Sequence, residues 1–499
     1  MQQSNRAKLL LSLGAGALLP LAFAPFDFSF LAFLCLAGLF VGLRNATPRS
    51  ALLITFGFGI TSFLGGTYWT FISVHEFGGA PLVLSALAML GLVFVLAMFA
   101  ALAAWLFVRW LPTQGLQGWL GTLPAMWVLA EWGRGWMLTG FGWLSVGYSQ
   151  TDTWLMSWAP VLGLHGVSYA VALTAGAGLA VVLCRGRQRW VAASVIVVIW
   201  GGAWLVDGWR WTSPKGDLVS VALAQGAITQ DKKWQPDQYQ PTLDLYRQLS
   251  LQAAGSDLIV WPEVAIPNVY AGVQDYLQGV QQSLQPSGST AVLGILYRGQ
   301  GSREPQNAVV ALTDPPQFYV KRHLVPFGEY FPVPQFAREW LRLLDLPYTD
   351  LRSGVPDQPL LEVGGELVAV TICYEDVFGA EQLPFFPAAS LIVNVSNDAW
   401  FGDSISADQH LQIARMRAAE VGRYVLRSCN TGISAVIDPY GRIVKRAPRF
   451  EPALLTDTVQ GFTGSTPYVS WGNYPVIIFV FIVLVLQLAT TKFTMRPGT

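Results

Sequence analysis

Leu367-Val368-Ala369-Val370-Thr371-Ile372-Cys373-Tyr374-Glu375-Asp376 runs six apolar or β-branched residues together, then a thiol, a phenol and two acids. An unbroken apolar run of this length, with no polar alternation, suits a strand covered on both faces. The polar residues after it put Cys373 at the strand's end, on the rim of a sheet. A thiol flanked by acids is badly placed there as inert core. It is well placed as a nucleophile, provided a base and a cation lie near enough to favour the thiolate.

Comparable runs surround this one. Leu218–Ala224, Asp257–Trp261, Ala291–Tyr297, Ala308–Leu312 and Leu391–Val395 read as strands, and Thr242–Ala253 and Ala407–Arg423 as helices between them. Ser434–Asp438 and Arg442–Val444, joined by Pro439-Tyr440-Gly441, read as a hairpin. Strands alternating with helices imply an α/β layered domain.

Charge sets the limits of that domain. Charged residues make up 12% of the 499-residue chain and hydrophobic ones 53%, against roughly 25% charged in ordinary soluble proteins. The 31 basic and 31 acidic residues cancel, which excludes a nucleic-acid binder built on bulk charge. Only 13 charged residues fall in 1–206 and 2 in 472–499, so a greasy envelope encloses a polar segment at 207–471. Apolar stretches near the ~20 residues needed to cross a bilayer occur at about 8–24, 27–43, 51–74, 82–108, 118–134, 161–183, 190–206 and 474–491. Eight spans are therefore expected: seven in a membrane domain at 1–206, and one in 472–499 ahead of a short tail.

An even number of spans puts both termini on one side. Arg6, Lys8, Arg44, Arg49, Arg109, Arg185, Arg187, Arg189, Lys492 and Arg496 fall at the termini or in alternate loops, which marks that side as cytoplasmic. The 207–471 domain then faces outward. Ala22-Phe23-Ala24 resembles a signal-peptide cleavage site, but Pro25 would follow the cut, so the first helix is expected to be retained.

Two further strand ends carry the groups a nucleophilic thiol needs. Trp261-Pro262-Glu263 delivers a carboxylate directly after a buried strand, and Phe318-Tyr319-Val320-Lys321-Arg322-His323 delivers a lysine among aromatic neighbours. Singly, each reads equally well as a surface residue. Cys373 and Cys429 also share a compartment that favours disulfides, so a structural bridge between them stays open. Cys35 and Cys184 lie in or beside the spans. The four His (His75, His165, His323, His410) lack ligand spacing, and no Gly-rich phosphate loop joins a strand to a helix, so neither a metal nor another cofactor is expected.

Together, Trp261-Pro262-Glu263, Lys321 in Tyr319-Val320-Lys321-Arg322-His323-Leu324-Val325-Pro326-Phe327-Gly328-Glu329-Tyr330, and Ile372-Cys373-Tyr374-Glu375 resemble the Glu–Lys–Cys signature of the nitrilase superfamily. Ser396-Asn397-Asp398-Ala399-Trp400-Phe401 and Asn430-Thr431-Gly432 match as well. With the apolar envelope, the resemblance narrows to the apolipoprotein N-acyltransferases. It implies an α-β-β-α sandwich and a ping-pong acyl transfer in a bacterial inner membrane, with the catalytic domain periplasmic. Cys373 would take the sn-1 acyl chain of a phospholipid, typically phosphatidylethanolamine, as a thioester. The acceptor would be the α-amine of an apolipoprotein's diacylglyceryl-cysteine.

The resemblance makes Glu263 the general base, and Lys321 with the Tyr374 N–H the oxyanion donors. Glu329 corresponds to a second carboxylate near the thiol. Glu375 is assigned a positioning role, and Trp234 a lid or lipid contact. The amphipathic, aromatic stretch Phe331–Tyr348 is expected to dip toward the membrane as a gate for acyl chains. Trp136, Phe141, Trp143, Tyr148 and Trp154 are explained by interfacial anchoring. Two other classes are weighed against this reading. A membrane-tethered amidase would use the same trio, but one span suffices for a tether. A transporter would need buried charges in its spans, where only Glu131 near a helix end qualifies.

Overall fold

The computed structural model describes residues 5–299, 304–332 and 350–494. The chain divides into two compact units. One comprises Met1–Phe71, Ala86–Arg210 and Pro467–Thr499, the other Ile72–Ser85 and Trp211–Thr466. The expected acyl-chain gate, Phe331–Tyr348, lies outside the described residues from 333 onward.

The first unit is helical, and it corrects the expectation of eight spans. Among the described residues three helices are long and apolar enough to cross a membrane: Leu82–Val108, Trp154–Leu183 and Arg187–Asp207. A fourth is obtained if Pro48–Gly66 and Trp69–Phe77, bent by 55°, are taken as one span. The other expected spans are shorter helices. Asn5–Leu18 passes into a 3-10 turn, Leu19–Ala22, that contains Pro20. Phe30–Leu43 has 14 residues, about 21 Å at 1.5 Å per residue, short of the ~30 Å hydrocarbon core. Over 118–134 a π-turn at Gly118–Thr122 precedes the 12-residue helix Leu123–Arg134, which has Pro124 in its first turn. Tyr474–Thr490 is likewise among the shorter apolar helices. The overcount has a physical source: hydropathy sums apolar side chains and is blind to the prolines and turns that break the helix beneath them.

Glu131 and Arg134, both buried, bind backbone groups. Glu131 Oε1 accepts from the N–H of Val146 (2.8 Å) and the indole of Trp127 (2.9 Å), while Arg134 Nη1 donates to the carbonyl of Phe141 (2.7 Å). Charges near the end of helix Leu123–Arg134 thus hold the 141–146 loop. Of the aromatics in that region, Trp143 and Tyr148 are buried, whereas Trp136 and Trp154 are exposed.

The second unit is built on two six-stranded sheets. The first has the order β12-β1-β2-β3-β4-β5, where β1 is Thr212–Gln225, β2 Leu258–Trp261, β3 Thr290–Tyr297, β4 Gln306–Ala311, β5 Gln317–Val320 and β12 Ala453–Gly464. The second has the order β11-β10-β9-β8-β7-β6, where β6 is Leu361–Val363, β7 Glu366–Ile372, β8 Leu391–Ser396, β9 Tyr424–Cys429, β10 Ala435–Ile437 and β11 Ile443–Arg446. Each sheet has a parallel centre (β1-β2-β3 and β7-β8-β9) with antiparallel strands at its edges. The sheets pack face to face, β1 and β2 against β9, and β4 against β7.

Helices cover the outer faces. Tyr246 and Leu249 of helix Pro236–Gln252, and Leu277 and Val280 of helix Gln274–Leu284, close over Ile259, Trp261 and Leu293 of the first sheet. Trp261 stacks on Tyr246 at 5.0 Å and donates its indole N–H to Ser250 Oγ at 3.0 Å. Helix Ser406–Val421, almost wholly buried, serves the second sheet. All four residues of β2 are buried, as a parallel strand covered on both faces requires. Three strand ends, after β2, β5 and β7, then release Glu263, Lys321 and Cys373.

Candidate active site

Glu263 leaves β2 through a turn with Val264 in the left-handed region at φ +45°. The turn lies tight against β3. A side chain at Gly294 would meet the Glu263 Cα at 2.5 Å and the Pro262 carbonyl at 2.7 Å, so only glycine fits. Lys321 follows β5, its N–H donating to the Asn307 carbonyl (2.8 Å) and its carbonyl accepting from Gly354 (2.8 Å). The ammonium is 1% exposed and sits between two carboxylates, 2.9 Å from Glu329 Oε1 and 3.3 Å from Glu263 Oε1. Asn307 Nδ2 reaches the same two oxygens, at 2.7 Å to Glu263 and 3.0 Å to Glu329. Two donors therefore clamp two facing carboxylate oxygens. Burial by itself would push the lysine toward neutrality, but Glu329 and Glu263 hold it raised and charged. Glu329 is fixed in turn by the Val325 N–H on its other oxygen (2.7 Å).

Cys373 is partly exposed, as Glu329 is, whereas Glu263, Lys321 and Asn307 are buried. It takes φ +52°, a left-handed conformation sparsely used by residues with a Cβ. Strain of this kind persists only where neighbours over-determine it, and here they do. The Ile372 N–H donates to Glu375 Oε2 (2.8 Å), and the Cys373 carbonyl lies 3.2 Å from His410 Nε2. Burial and the charge of Glu263 push the thiol well above its ordinary range, with Lys321 opposing. The resting group is a thiol, and it needs a base.

Glu375 and Asp376 follow the thiol in sequence but turn inward. Glu375 accepts from Tyr319 OH (3.0 Å), Arg322 N–H (2.7 Å), His323 N–H (3.3 Å) and Ile372 N–H (2.8 Å), which ties the lysine loop to the cysteine turn. In Glu375→Gln one oxygen of this clamp becomes a donor facing donors. The expected result is a loss of about 1–3 kcal/mol in stability, read from denaturation of the purified protein, together with slower labelling of Cys373.

Beneath the turn lies a polar network centred on Asp398, a residue of the Ser396–Phe401 motif, with partners that the sequence did not connect to it. Asp398 Oδ1 bonds His410 Nδ1 (2.8 Å), and its Oδ2 accepts from Arg427 Nη2 (3.0 Å) and Cys429 Sγ (3.3 Å). Arg427 continues to Asn394 (2.6 Å) and to Asp376 (3.5 Å), which also bonds Thr371 (2.7 Å). Burial would raise the Asp398 carboxyl, yet His410 and Arg427 beside it hold it well below the usual carboxylate range. All four cysteines are free, so the bridge left open between Cys373 and Cys429 is not made. The Cys429 thiol serves as a donor instead.

The remaining candidates fall at different distances from this centre. Tyr374 is buried, with its ring against Phe378 (5.1 Å) and His323 (5.7 Å). Trp234 is 53% exposed at the end of the one-turn helix Gln230–Lys233. Sequence reasoning passed over Asn307, Tyr319, His410, Arg427 and Lys233. Only their strand-end or buried-helix positions hinted at a role, and no local pattern points from any of them to Cys373. Among the described residues no group of three or more His, Cys, Asp or Glu is arranged to hold a metal ion.

The comparisons with known proteins divide along the chain as the two kinds of structure do. Residues 15–177 match the apolipoprotein N-acyltransferase N-terminal domain, and residues 220–468 match the carbon-nitrogen hydrolase family. An apolipoprotein N-acyltransferase of Methylococcus capsulatus is 43% identical over 472 residues, covering 94% of this chain and 93% of that protein. The chain belongs to the apolipoprotein N-acyltransferase family. Relatives of the same description from Azotobacter vinelandii (42% identical, 93% of this chain and 92% of that one) and Nitrosomonas europaea (42%, 89% and 88%) agree. Membership makes the protein an acyltransferase, and its membrane-length helices make it a multi-pass protein of the inner membrane.

Proposed function

We propose that Cys373 takes the sn-1 acyl chain of a phospholipid, phosphatidylethanolamine foremost, and passes it to the α-amine of a diacylglyceryl-cysteine on an apolipoprotein. The observation that carries this is a raised thiol on a left-handed strand end, within electrostatic reach of a carboxylate and a lysine already paired with each other.

Glu263 accepts the thiol proton as sulfur attacks the ester carbonyl. Lys321 and the Tyr374 N–H stabilise the oxyanion, a contribution worth roughly 10²–10³ in rate per donor. Collapse of the tetrahedral species breaks the ester C–O bond, and the leaving alkoxide of the lysophospholipid recovers the proton from Glu263. In the second half the amine attacks the thioester and gives its proton to Glu263. The released Cys373 thiolate then takes that proton back. A thioester retains the acyl-transfer potential of the ester, so the sequence closes without a nucleotide. Glu329 and Asn307 hold Glu263 and Lys321 in register, Glu375 positions the cysteine turn, and exposed Trp234 meets lipid.

The hydrolase domain belongs on the outer, periplasmic face. Helix Arg187–Asp207 begins among Arg185, Arg187 and Arg189, which marks that end as cytoplasmic, and the domain follows its other end. Both substrates present their reacting groups at that surface.

The test is incubation of purified protein with acyl-labelled phospholipid, with and without an amine acceptor. Wild type should carry a hydroxylamine-labile label that Cys373→Ala lacks, and acceptor should discharge it into amide. Equal labelling of the variant would overturn the nucleophile. Discharge to free fatty acid alone would make the protein a hydrolase.

A further inference from the structure

Lys233 is a further buried cation of the domain's polar centre, beside Lys321 and Arg427, and the thioester chemistry above gives it no task. Its side chain is 2% exposed. It ends the one-turn helix Gln230–Lys233 after β1, and its Nζ donates to the backbone carbonyl of Glu263 at 3.2 Å. The same helix sends Gln230 Oε1 to Asn397 Nδ2 at 3.0 Å, directly beside Asp398. Asn397 accepts in turn from Asn430 (3.0 Å), which clasps the chain just before the helix through both the N–H and the carbonyl of Ile228. The two inward side chains of this turn thus hold the base loop and the loop beneath the thiol, while the next residue, Trp234, stands 53% exposed.

Charge also singles out this position. Glu263 and Glu329 share one ammonium, that of Lys321. An additional carboxylate without an additional cation is costly in a buried site. Lys233 adds a second positive charge facing Glu263.

We propose that Lys233 is a positioning residue for the general base: its ammonium fixes the main chain of Glu263 through a charge-assisted hydrogen bond to the carbonyl, and so holds the carboxylate in place to take the thiol proton. The proposal rests on Glu263 serving as base. The ionisable groups facing Lys233 are Glu263 after β2 and Cys429 at the end of β9. Burial pulls the lysine down to about 8, with those two groups opposing. The charge is therefore present at neutral pH and lost as pH rises through about 8. The supporting charge fails at a pH where Lys321, held raised, keeps its own.

Three readouts test this in full-length protein, using labelled phosphatidylethanolamine without acceptor so that only the first half-reaction is seen. Wild type should lose thioester-forming rate above about pH 8. Lys233→Met should form thioester on the order of tenfold more slowly at neutral pH and should lose that alkaline limb. The lipid concentration at half-saturation should not change. Lys233→Gln keeps a donor for the Glu263 carbonyl but not the charge. It should therefore preserve folding while showing the same loss of the alkaline limb, and it decides the matter should the Met variant fail to fold.

A Gln variant with wild-type rate and alkaline limb would overturn the charge role. An unchanged rate and profile in a folded Met variant would overturn the proposal altogether. Neither result touches the nucleophile, which wild-type labelling at Cys373 tests separately. Absence of label in wild type itself would fell the underlying reading and this inference with it.

Discussion

Glu263→Gln is expected to slow thioester formation at Cys373 by about 10²–10⁴-fold, the span typical of a lost general base, while leaving the fold intact. The Cys373 thiol is raised by burial and by the neighbouring carboxylate, so almost none of it is thiolate at neutral pH. Without a proton acceptor the attack stalls. An amide keeps the oxygen that Asn307 and Lys321 now bond, and Lys321 retains Glu329 as its ion-pair partner. The packing against Gly294 involves the backbone and is untouched. Single-turnover labelling with phospholipid measures the effect, and the melting transition checks the fold. If the variant labelled at the wild-type rate, the base would have to be sought elsewhere.

Lys321→Met is expected to do more harm, because it removes one partner of a buried arrangement and strands the others. Glu263 and Glu329 would face each other through oxygens that now share Lys321 and Asn307, with only the neutral amide left between them. Breaking a buried pair in this way costs about 3–5 kcal/mol, and the lost oxyanion donor should cost a further 10²–10³ in rate. The double variant Lys321→Met with Glu329→Gln separates the two effects. Removing the second carboxylate should restore much of the stability and none of the rate. Recovery of both in the double variant would show that Lys321 only neutralises charge and does not act on the reacting carbonyl.

Several features were legible in the chain because they are local. β7 and β8 begin and end within a residue or so of the apolar runs that announced them. The hairpin came out as β10 and β11 around Pro439-Tyr440-Gly441, with Asp438 Oδ1 accepting from the N–H groups of Tyr440 and Arg442. β5 was read only through the strand end at Phe318–His323, and β9 was not singled out. Gln317–Val320 is only four residues long, and β9 carries Arg427, a charge that no apolar count would place inside a sheet. Arg427 is nonetheless fully buried, because Asp398, Asp376 and Asn394 come to it from other elements. The span count failed for the converse reason: apolar side chains were present, but Pro20, Pro124 and the 55° bend after Gly66 cut the helices short or turned them.

The acids after Cys373 teach the same lesson at the scale of one turn. Read along the chain, Glu375 and Asp376 look like neighbours of the thiol. In space they point away, and the carboxylate near the sulfur is Glu263, which lies 110 residues earlier in the chain. The sequence alone determined the apolar envelope, the alternating strands and the identity of the reactive residue types, since each depends on composition or on spacing within a dozen residues. Only the tertiary structure decided how many helices are long enough to span, which carboxylate faces the thiol, and that Lys233, Asn307 and His410 belong to the same centre. Those depend on where hydrogen-bonded strands end in space and on which buried charges can find partners, and neither property is carried by any single stretch of chain.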